Sequence, residues 1–483
     1  MFFYEFIVVY IILAAIQQPT LNFGGVQGFI HIYSYRRHYG SKGTSHCNNR
    51  SKTFVISDRI NGTDGPNIKK ISALKTDRRP VNEIIPISDC QLPVDWYTSE
   101  EVYALEQEHI FRKMPQYIGH ELMVPEPRDF HTLDWMSNAK VLINNKDKKE
   151  MNEISIGHGV DLISNICRHR QAIMLNGSGR TQNVVCPLHR WSFTSEGKFL
   201  AAPHFQKHQR ETECAHLHLH RTPLQNWRGL LLAPGAMLDV SSLEAERVLS
   251  PTSLIDELNT MTCRSDLDFS GYKYSHSEVT QYYFNWKTFI EVYLEDYHVV
   301  PFHPGLNGFV DCEELTWEFS DNFSVQTVGS RRQFKDKFGT SVYKNWQREV
   351  LDKDETLVDR PKYGAIWLVV YPLLMVEWYP KTLVVSHIIP EGPMKCKNVV
   401  EFYYPEDIVL HQKEYIEAQQ RAYMETAVED EEICQRMHDG RVALSKLGLD
   451  ERGPYQHPME SGLQHFHQWM HKMLDPRMAS IKS

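Results

Sequence analysis

"CRHRQAIMLNGSGRTQNVVCPLHRW" runs from Cys167 to Trp191, and its reading decides the fold. One cysteine and one histidine come from each of two short segments, Cys167-x-His169 and Cys186-x-x-His189. The "NGSG" turn at 176–179 and Pro187 shape the loop tips between and beside them. Two thiolates and two imidazoles can hold either a tetrahedral zinc ion or a [2Fe-2S] cluster. Structural zinc sites usually pair cysteine with cysteine nearby in the chain. The alternating order Cys, His, Cys, His lets both cysteines reach one iron and both histidines the other. The cluster is therefore the favoured reading; a zinc-stabilised, non-enzymatic binding protein is the rival from a different class.

Outward from this stretch, residues 117–235 read as a small all-β domain. Short β-branched or alternating runs such as "VLINN", "NVVC" and "AHLHLH" are separated by Gly-containing turns. In "HLHLH", strict alternation puts His216, His218 and His220 on one face of an ordinary strand. Ahead of the domain, 81–116 holds one helix in "TSEEVYALEQEHIFRKM", with Thr98 as N-cap and Glu101 at the capping-box position. Residues 236–476 read as α+β. "EVTQYYFNW" is a strand, "WKTFIEVYLEDYH" a helix, and "YGAIWLVVYPLLMVEWYPKTLVVSHIIP" a series of antiparallel strands punctuated by proline. Trp367, Trp378 and Tyr379 on those strands read as core. Two helices follow, the second with Leu463, Phe466, Met470 and Met473 on one face, and 477–483 is a tail.

A chain of 483 residues is too long for one core and implies two domains. The formal charge of -9 lacks the basic footprint that phosphate contacts require, so nucleic acid is not expected as a partner. The nine cysteines are scattered and odd in number, unlike a secreted disulfide framework, and suggest a reducing cytoplasm. "FFYEFIVVYIILAAI" at 2–16 is apolar. It carries Glu5, lacks a positive flank and is shorter than the roughly 20 residues of a spanning helix, which argues against a membrane segment. The rest of 1–80 reads as a poorly ordered extension.

A second constellation lies in "NWKTFIEVYLEDYHVVPFHPG", 285–305. On a continuous helix Glu291, Glu295 and His298 share one face, and Pro301 then swings His303 round. Two imidazoles and one carboxylate on one side of an iron leave its other positions open for dioxygen and substrate. "AVEDEEICQRMHDG" offers distant carboxylates at Glu429, Asp430, Glu431 and Glu432, ahead of a helix; taken alone, such a run is a solvated helix start.

Together these residues resemble the Rieske non-heme iron oxygenases, the aromatic-ring-hydroxylating alpha-subunit family, and within it the choline monooxygenase-like branch. Cys167, His169, Arg170, Cys186, Pro187, His189 and Trp191 match its C-x-H-R…C-P-x-H-x-W. Asn285, Trp286, Lys287, Glu291, Tyr293, Leu294, Glu295, Tyr297, His298 and His303 match its N-W-K and E-x-Y-L-E-x-Y-H stretches, over about residues 85–474. The resemblance implies an all-β Rieske domain followed by a helix-grip catalytic domain with an antiparallel sheet. It implies a [2Fe-2S] cluster on Cys167, His169, Cys186 and His189, and mononuclear Fe(2+) on His298, His303 and Asp430, with Glu429 as the fallback ligand. Glu295, with Asp296 its neighbouring rival, takes the role of the carboxylate that bridges metal centres of adjacent subunits in a homotrimer.

Electrons would come from a separate reductase or ferredoxin, since the chain has no nicotinamide or flavin fingerprint. Arg168, Arg170, Arg190 and Lys198 around the loops suggest a patch that steers such a donor. The implied reaction is hydroxylation of a small molecule by dioxygen. Glu295 favours a quaternary ammonium substrate, with ring dihydroxylation of an arene as the alternative. Gln171 and Arg190 stand where the family usually has glycine, and a side chain is strained there if φ is positive.

Overall fold

The computed structural model describes residues 91–146, 159–204, 215–235, 251–331, 339–351 and 362–481. The apolar stretch 2–16 and the extension 1–80 lie outside the described residues.

The first half of the molecule is built from short antiparallel strands. Lys140–Asn144 and Val160–Ser164 form the middle of a five-stranded sheet, and Pro115–His120, Leu230–Pro234 and Gln225–Trp227 make a smaller one. A third sheet of Asn183–Val185, Ser192–Thr194 and Phe199–Ala201 carries the second cysteine-histidine loop at its tip. The "HLHLH" stretch is not a strand. Ala215–Leu217 form a tight turn, and the His218 ring accepts a hydrogen bond from the Phe199 amide (3.1 Å), which fastens the loop to the third sheet.

The second half is organised by a seven-stranded antiparallel sheet. Its order from edge to edge is Tyr272–Tyr282, Lys395–Pro405, Thr382–Gly392, Leu374–Tyr379, Ala365–Val370, Phe323–Ser330 and Val310–Phe319. Central strands such as "AIWLVV" are covered on both faces, which explains their continuous apolar sequence. One face packs Phe323, Val325, Leu368, Val376 and Leu383 against Leu230, Leu232 and Trp227 of the first half. The other packs Val384, Val400 and Phe402 against Tyr415, Ala418 and Ala422 of the helix Lys413–Leu447. The acidic run 429–432 lies inside this helix, not ahead of it; no proline interrupts its 35 residues, and it ends at Gly448 in the left-handed conformation.

The N-terminal helical segment packs with the second half. Trp96, Tyr97, Val102, Ile110 and Phe111 join Trp286, Ile290, Phe466 and Met470 in one core. Its helix Glu100–Glu106 is capped by Ser99, whose hydroxyl accepts from Val102 N (3.2 Å) and donates to Glu101 (2.7 Å). Thr98 lies one residue outside the cap, and its hydroxyl donates to Ser445 Oγ instead (3.2 Å).

Candidate functional site

Each cysteine-histidine loop is a tight turn closed by its own backbone. In the first, Cys167 N donates to Ala172 O (2.9 Å) and Gln171 N to Cys167 O (3.1 Å). In the second, Cys186 N donates to Trp191 O (2.8 Å) and Arg190 N to Cys186 O (3.1 Å). Both cysteines are buried with Val184, Trp191 and Phe193, whereas both histidines are exposed. The His169 ring stacks on Trp191 at 4.7 Å and 4°, and His189 stands edge-on to it at 4.7 Å. Gln171 (φ 54°) and Arg190 (φ 60°) are both left-handed, so both glycine-type positions carry an exposed side chain on a disfavoured backbone. Burial raises the Cys167 thiol, and the adjacent Cys186 adds to this; a bound cation would reverse it. Ile173 and Leu188 project from the same tip with 40% and 55% exposure. Of the basic residues there, Arg168 donates to His216 O (3.0 Å) and Lys198 pairs with Glu196 (3.5 Å).

Among the described residues, one set of three ligand atoms lies within 4.8 Å of one another, and it is not in these loops: it is His298, His303 and Asp430. The donor set of the four loop residues, thiols inside and imidazoles outside, fits a cluster with two separated irons.

The second site forms where the helix Trp286–Tyr293 stops earlier than its sequence suggests. Leu294 N closes a turn onto Glu291 O (3.1 Å), and the Leu294 carbonyl abuts Gly462, where an added Cβ would sit 2.7 Å away. Glu291 therefore does not share a face with Glu295 and His298. It turns away to accept from Arg441 (2.6 Å), His467 (3.0 Å) and Tyr97, buried in the core. Burial pushes the Glu291 carboxyl up, but Arg441 and then His467 pull it down to about 2.

Past the break, the short helix Val299–Phe302 separates the two histidines, whose rings lie 4.8 Å apart at 74°. Their Nε2 atoms converge on one oxygen of Asp430, at 3.5 Å from His298 and 2.9 Å from His303. Each Nδ1 faces a second carboxylate, His298 that of Glu295 and His303 that of Glu429 (2.7 Å). Outer carboxylates of this kind fix the tautomer that frees Nε2 for a metal. Burial disfavours charge on His298, yet Asp430 and Glu295 outweigh it and lift the ring to about 10. Asp296 points elsewhere: it is buried, accepts from Gln326, and burial raises its carboxyl to about 7. The donor set of two imidazoles and one carboxylate fits ferrous iron.

His298, His303 and Asp430 open onto a cavity. Its walls include Tyr293, Trp346, Trp367, Tyr379 and Tyr423, together with Glu377 and Asn398. Trp367 and Tyr379 are buried in the core, as expected, and also form part of this wall, whereas Trp378 packs against the opposite core. Glu377 was missed by the sequence reading; its only signal is a lone carboxylate inside the apolar strand "LMVEWY".

A tip offering thiols inside and imidazoles outside, joined in one chain to a two-histidine, one-carboxylate pocket, defines an iron-dependent oxygenase with its own electron-relay cluster. Comparison agrees: residues 115–223 match the Rieske [2Fe-2S] domain and residues 269–476 the ring hydroxylating alpha subunit (catalytic domain), so the chain belongs to the Rieske ring-hydroxylating oxygenase family. It is an oxidoreductase that binds a [2Fe-2S] cluster and mononuclear iron and hydroxylates a small substrate with dioxygen and an electron donor. It is 50% identical to putrescine 2-hydroxylase of Ralstonia nicotianae over 80% of this chain and 96% of that one. It is 26% identical to chloroplastic choline monooxygenase of Beta vulgaris over 88% and 87% of the two chains. A quaternary ammonium Rieske monooxygenase connected with carnitine oxidation shares its fold at TM-score 0.58 and 19% identity, over 79% of this chain and 94% of that one. Among the described residues no helix is long and apolar enough to cross a membrane.

Proposed function

We propose that this oxygenase hydroxylates a short aliphatic diamine, putrescine, at an internal carbon. The convergence of His298, His303 and Asp430 on one point of a carboxylate-bearing cavity carries the reading. The 50% identity to a putrescine 2-hydroxylase over nearly its whole length supports the substrate. Cys167, His169, Cys186 and His189 hold the cluster; His298, His303 and Asp430 hold the iron. When bound, these groups supply electrons one at a time and a site where dioxygen is activated. Overall, one oxygen atom enters a C–H bond and the other leaves as water, with two electrons and two protons consumed.

The chain's own residues do the positioning. Glu295 and Glu429 hold the Nδ1 protons of His298 and His303, so that both Nε2 atoms face the same point. Tyr293, Trp346, Trp367 and Tyr423 exclude water from the substrate. Glu295 also takes the bridging role between centres of adjacent subunits in a homotrimer. The exposed Ile173 and Leu188 beside the cluster histidines support burial of that tip against a neighbour. The electron donor is a separate ferredoxin or reductase, with Arg170 and Arg190 as its basic landing points, and the enzyme works in the cytoplasm. Residues 117–235 form the Rieske domain and 236–476 the catalytic domain.

The test supplies putrescine, choline, carnitine and naphthalene in turn, with dioxygen and a reductant, to the purified iron-loaded protein. Oxygen uptake coupled to hydroxyputrescine is expected. Turnover of choline or carnitine without putrescine would move the substrate to a quaternary ammonium compound, and a cis-diol from naphthalene would move it to an arene.

A further inference from the structure

Glu377 is the feature that the iron chemistry does not use. It sits midway along a central strand of the catalytic sheet, paired with Trp367 on one side and Val384 on the other, and is only 5% exposed. Tyr379 donates its hydroxyl proton to Glu377 Oε2 (2.8 Å). The Trp367 indole, which can only donate, occupies one lone pair of the Tyr379 oxygen (2.9 Å) and leaves its proton for Glu377. The second carboxylate oxygen has no hydrogen-bond or ion-pair partner among the described residues. Groups that face Glu377 include Tyr379, Tyr293, Tyr423 and Asp430, and none of these is a cation. Five buried polar atoms on the same cavity wall lack partners among the described residues: the acceptors Asn398 Oδ1 and Asp296 Oδ2, the donors Trp346 Nε1 and Gln419 Nε2, and the Tyr293 hydroxyl.

A buried carboxylate without a counter-charge is costly, and burial holds this one up at about 8. It is kept in a sheet that could have used an apolar residue, and it faces a cavity rather than a packed core. We propose that Glu377 is the substrate's ammonium anchor: its free oxygen and Asn398 Oδ1 accept N–H bonds from a primary ammonium whose methylenes lie among Tyr293, Trp367, Tyr379 and Tyr423. A primary ammonium brings donors for these orphaned acceptors, while a quaternary one brings none. The inference rests on the diamine reading and deepens it. Glu278 and Glu431 also line the cavity, but both are exposed, so water screens them; Asp296 is buried there too, but one of its oxygens is already held by Gln326, next to the Glu295 end of the cavity.

The test is isothermal titration calorimetry of the anaerobic holoenzyme with putrescine and with 1,4-butanediol, a neutral diol of similar length. Wild type should bind putrescine far more tightly than the diol. E377Q should lose about ten- to hundredfold in putrescine affinity with little change for the diol, and E377D should recover part of the loss. A misfolded variant would lose both ligands and its cluster absorbance; the wild-type preference for the charged ligand and the E377D recovery then carry the test. The inference is overturned if E377Q keeps wild-type affinity for putrescine, or if wild type binds diol and diamine alike. If wild type neither binds nor hydroxylates putrescine, it is the diamine reading that fails.

Discussion

On the proposed assignment, the cluster tip and the iron cavity solve the same problem, holding metal, with opposite materials. At the tip, backbone amides close both turns, the thiols are buried and the imidazoles reach solvent; the residues all come from one stretch of 25. At the cavity, carboxylates do the holding. Glu295 and Glu429 grip the two histidines, Asp430 crosses from a helix more than a hundred residues away, and Glu291 ties the neighbouring helix to Arg441 and His467. A site made from local backbone should tolerate side-chain changes outside its ligands. A site made from buried charge should not, because each partner removed leaves another exposed to a low dielectric.

That contrast can be broken most easily at Glu291. E291Q leaves Arg441 buried with its charge unmatched, and unfolding free energy should fall by about 3–5 kcal/mol, measurable by denaturant titration. A fall below 1 kcal/mol would mean the buried pair is not what holds the cavity helices together. At Glu295 the effect moves to chemistry. E295Q should retain both metals by elemental analysis but lose about 10- to 100-fold in turnover; unchanged turnover, with Asp296→Asn inactive, would shift the role to Asp296.

The cavity side should also impose a pH slope that the tip does not. Burial holds the Glu377 carboxyl at about 8 against an ordinary 4.5. Its contribution to stability is present below 4.5 and is lost as pH rises through 8, since the unfolded chain gives up a proton that the folded one keeps. Unfolding free energy should therefore decline across that window, by at most about 1.4 kcal/mol per pH unit from this group, lowering the melting temperature with it, and E377Q should flatten the decline. A slope identical in E377Q would contradict this. The smallest effect belongs to the tip. Gln171→Gly and Arg190→Gly relieve left-handed backbone at exposed positions, so each should leave the cluster spectrum intact and stabilise by about 1 kcal/mol, less the entropy that glycine adds to the unfolded chain. Loss of the cluster in either variant would show that the side chains, not the turns, hold it.

The same contrast explains what the sequence discloses. The tip is legible because its donors, turn and proline lie within a single short stretch. His298 and His303 are legible for the same reason. Asp430 is not legible alone, because an acidic run in a helix looks the same whether it faces water or a metal, and only the resemblance singles it out. The helix through Glu291, Glu295 and His298 misleads, since it ends at Tyr293, where the Leu294 carbonyl packs against Gly462 from far along the chain. Ser99 and not Thr98 is the cap, one residue further on, a shift that two adjacent hydroxyl residues in sequence do not disclose. Glu377 is the hardest to see: one carboxylate in "LMVEWY" gives no hint that its strand faces a cavity instead of a core.

The measurement that tests the account most directly is iron content with electron paramagnetic resonance of C167S and D430A purified side by side under anaerobic conditions. The account predicts that C167S loses the reduced-cluster signal and keeps its mononuclear iron, and that D430A keeps the cluster signal and loses the mononuclear iron. A cluster signal surviving in C167S, or mononuclear iron remaining at wild-type content in D430A, would contradict it.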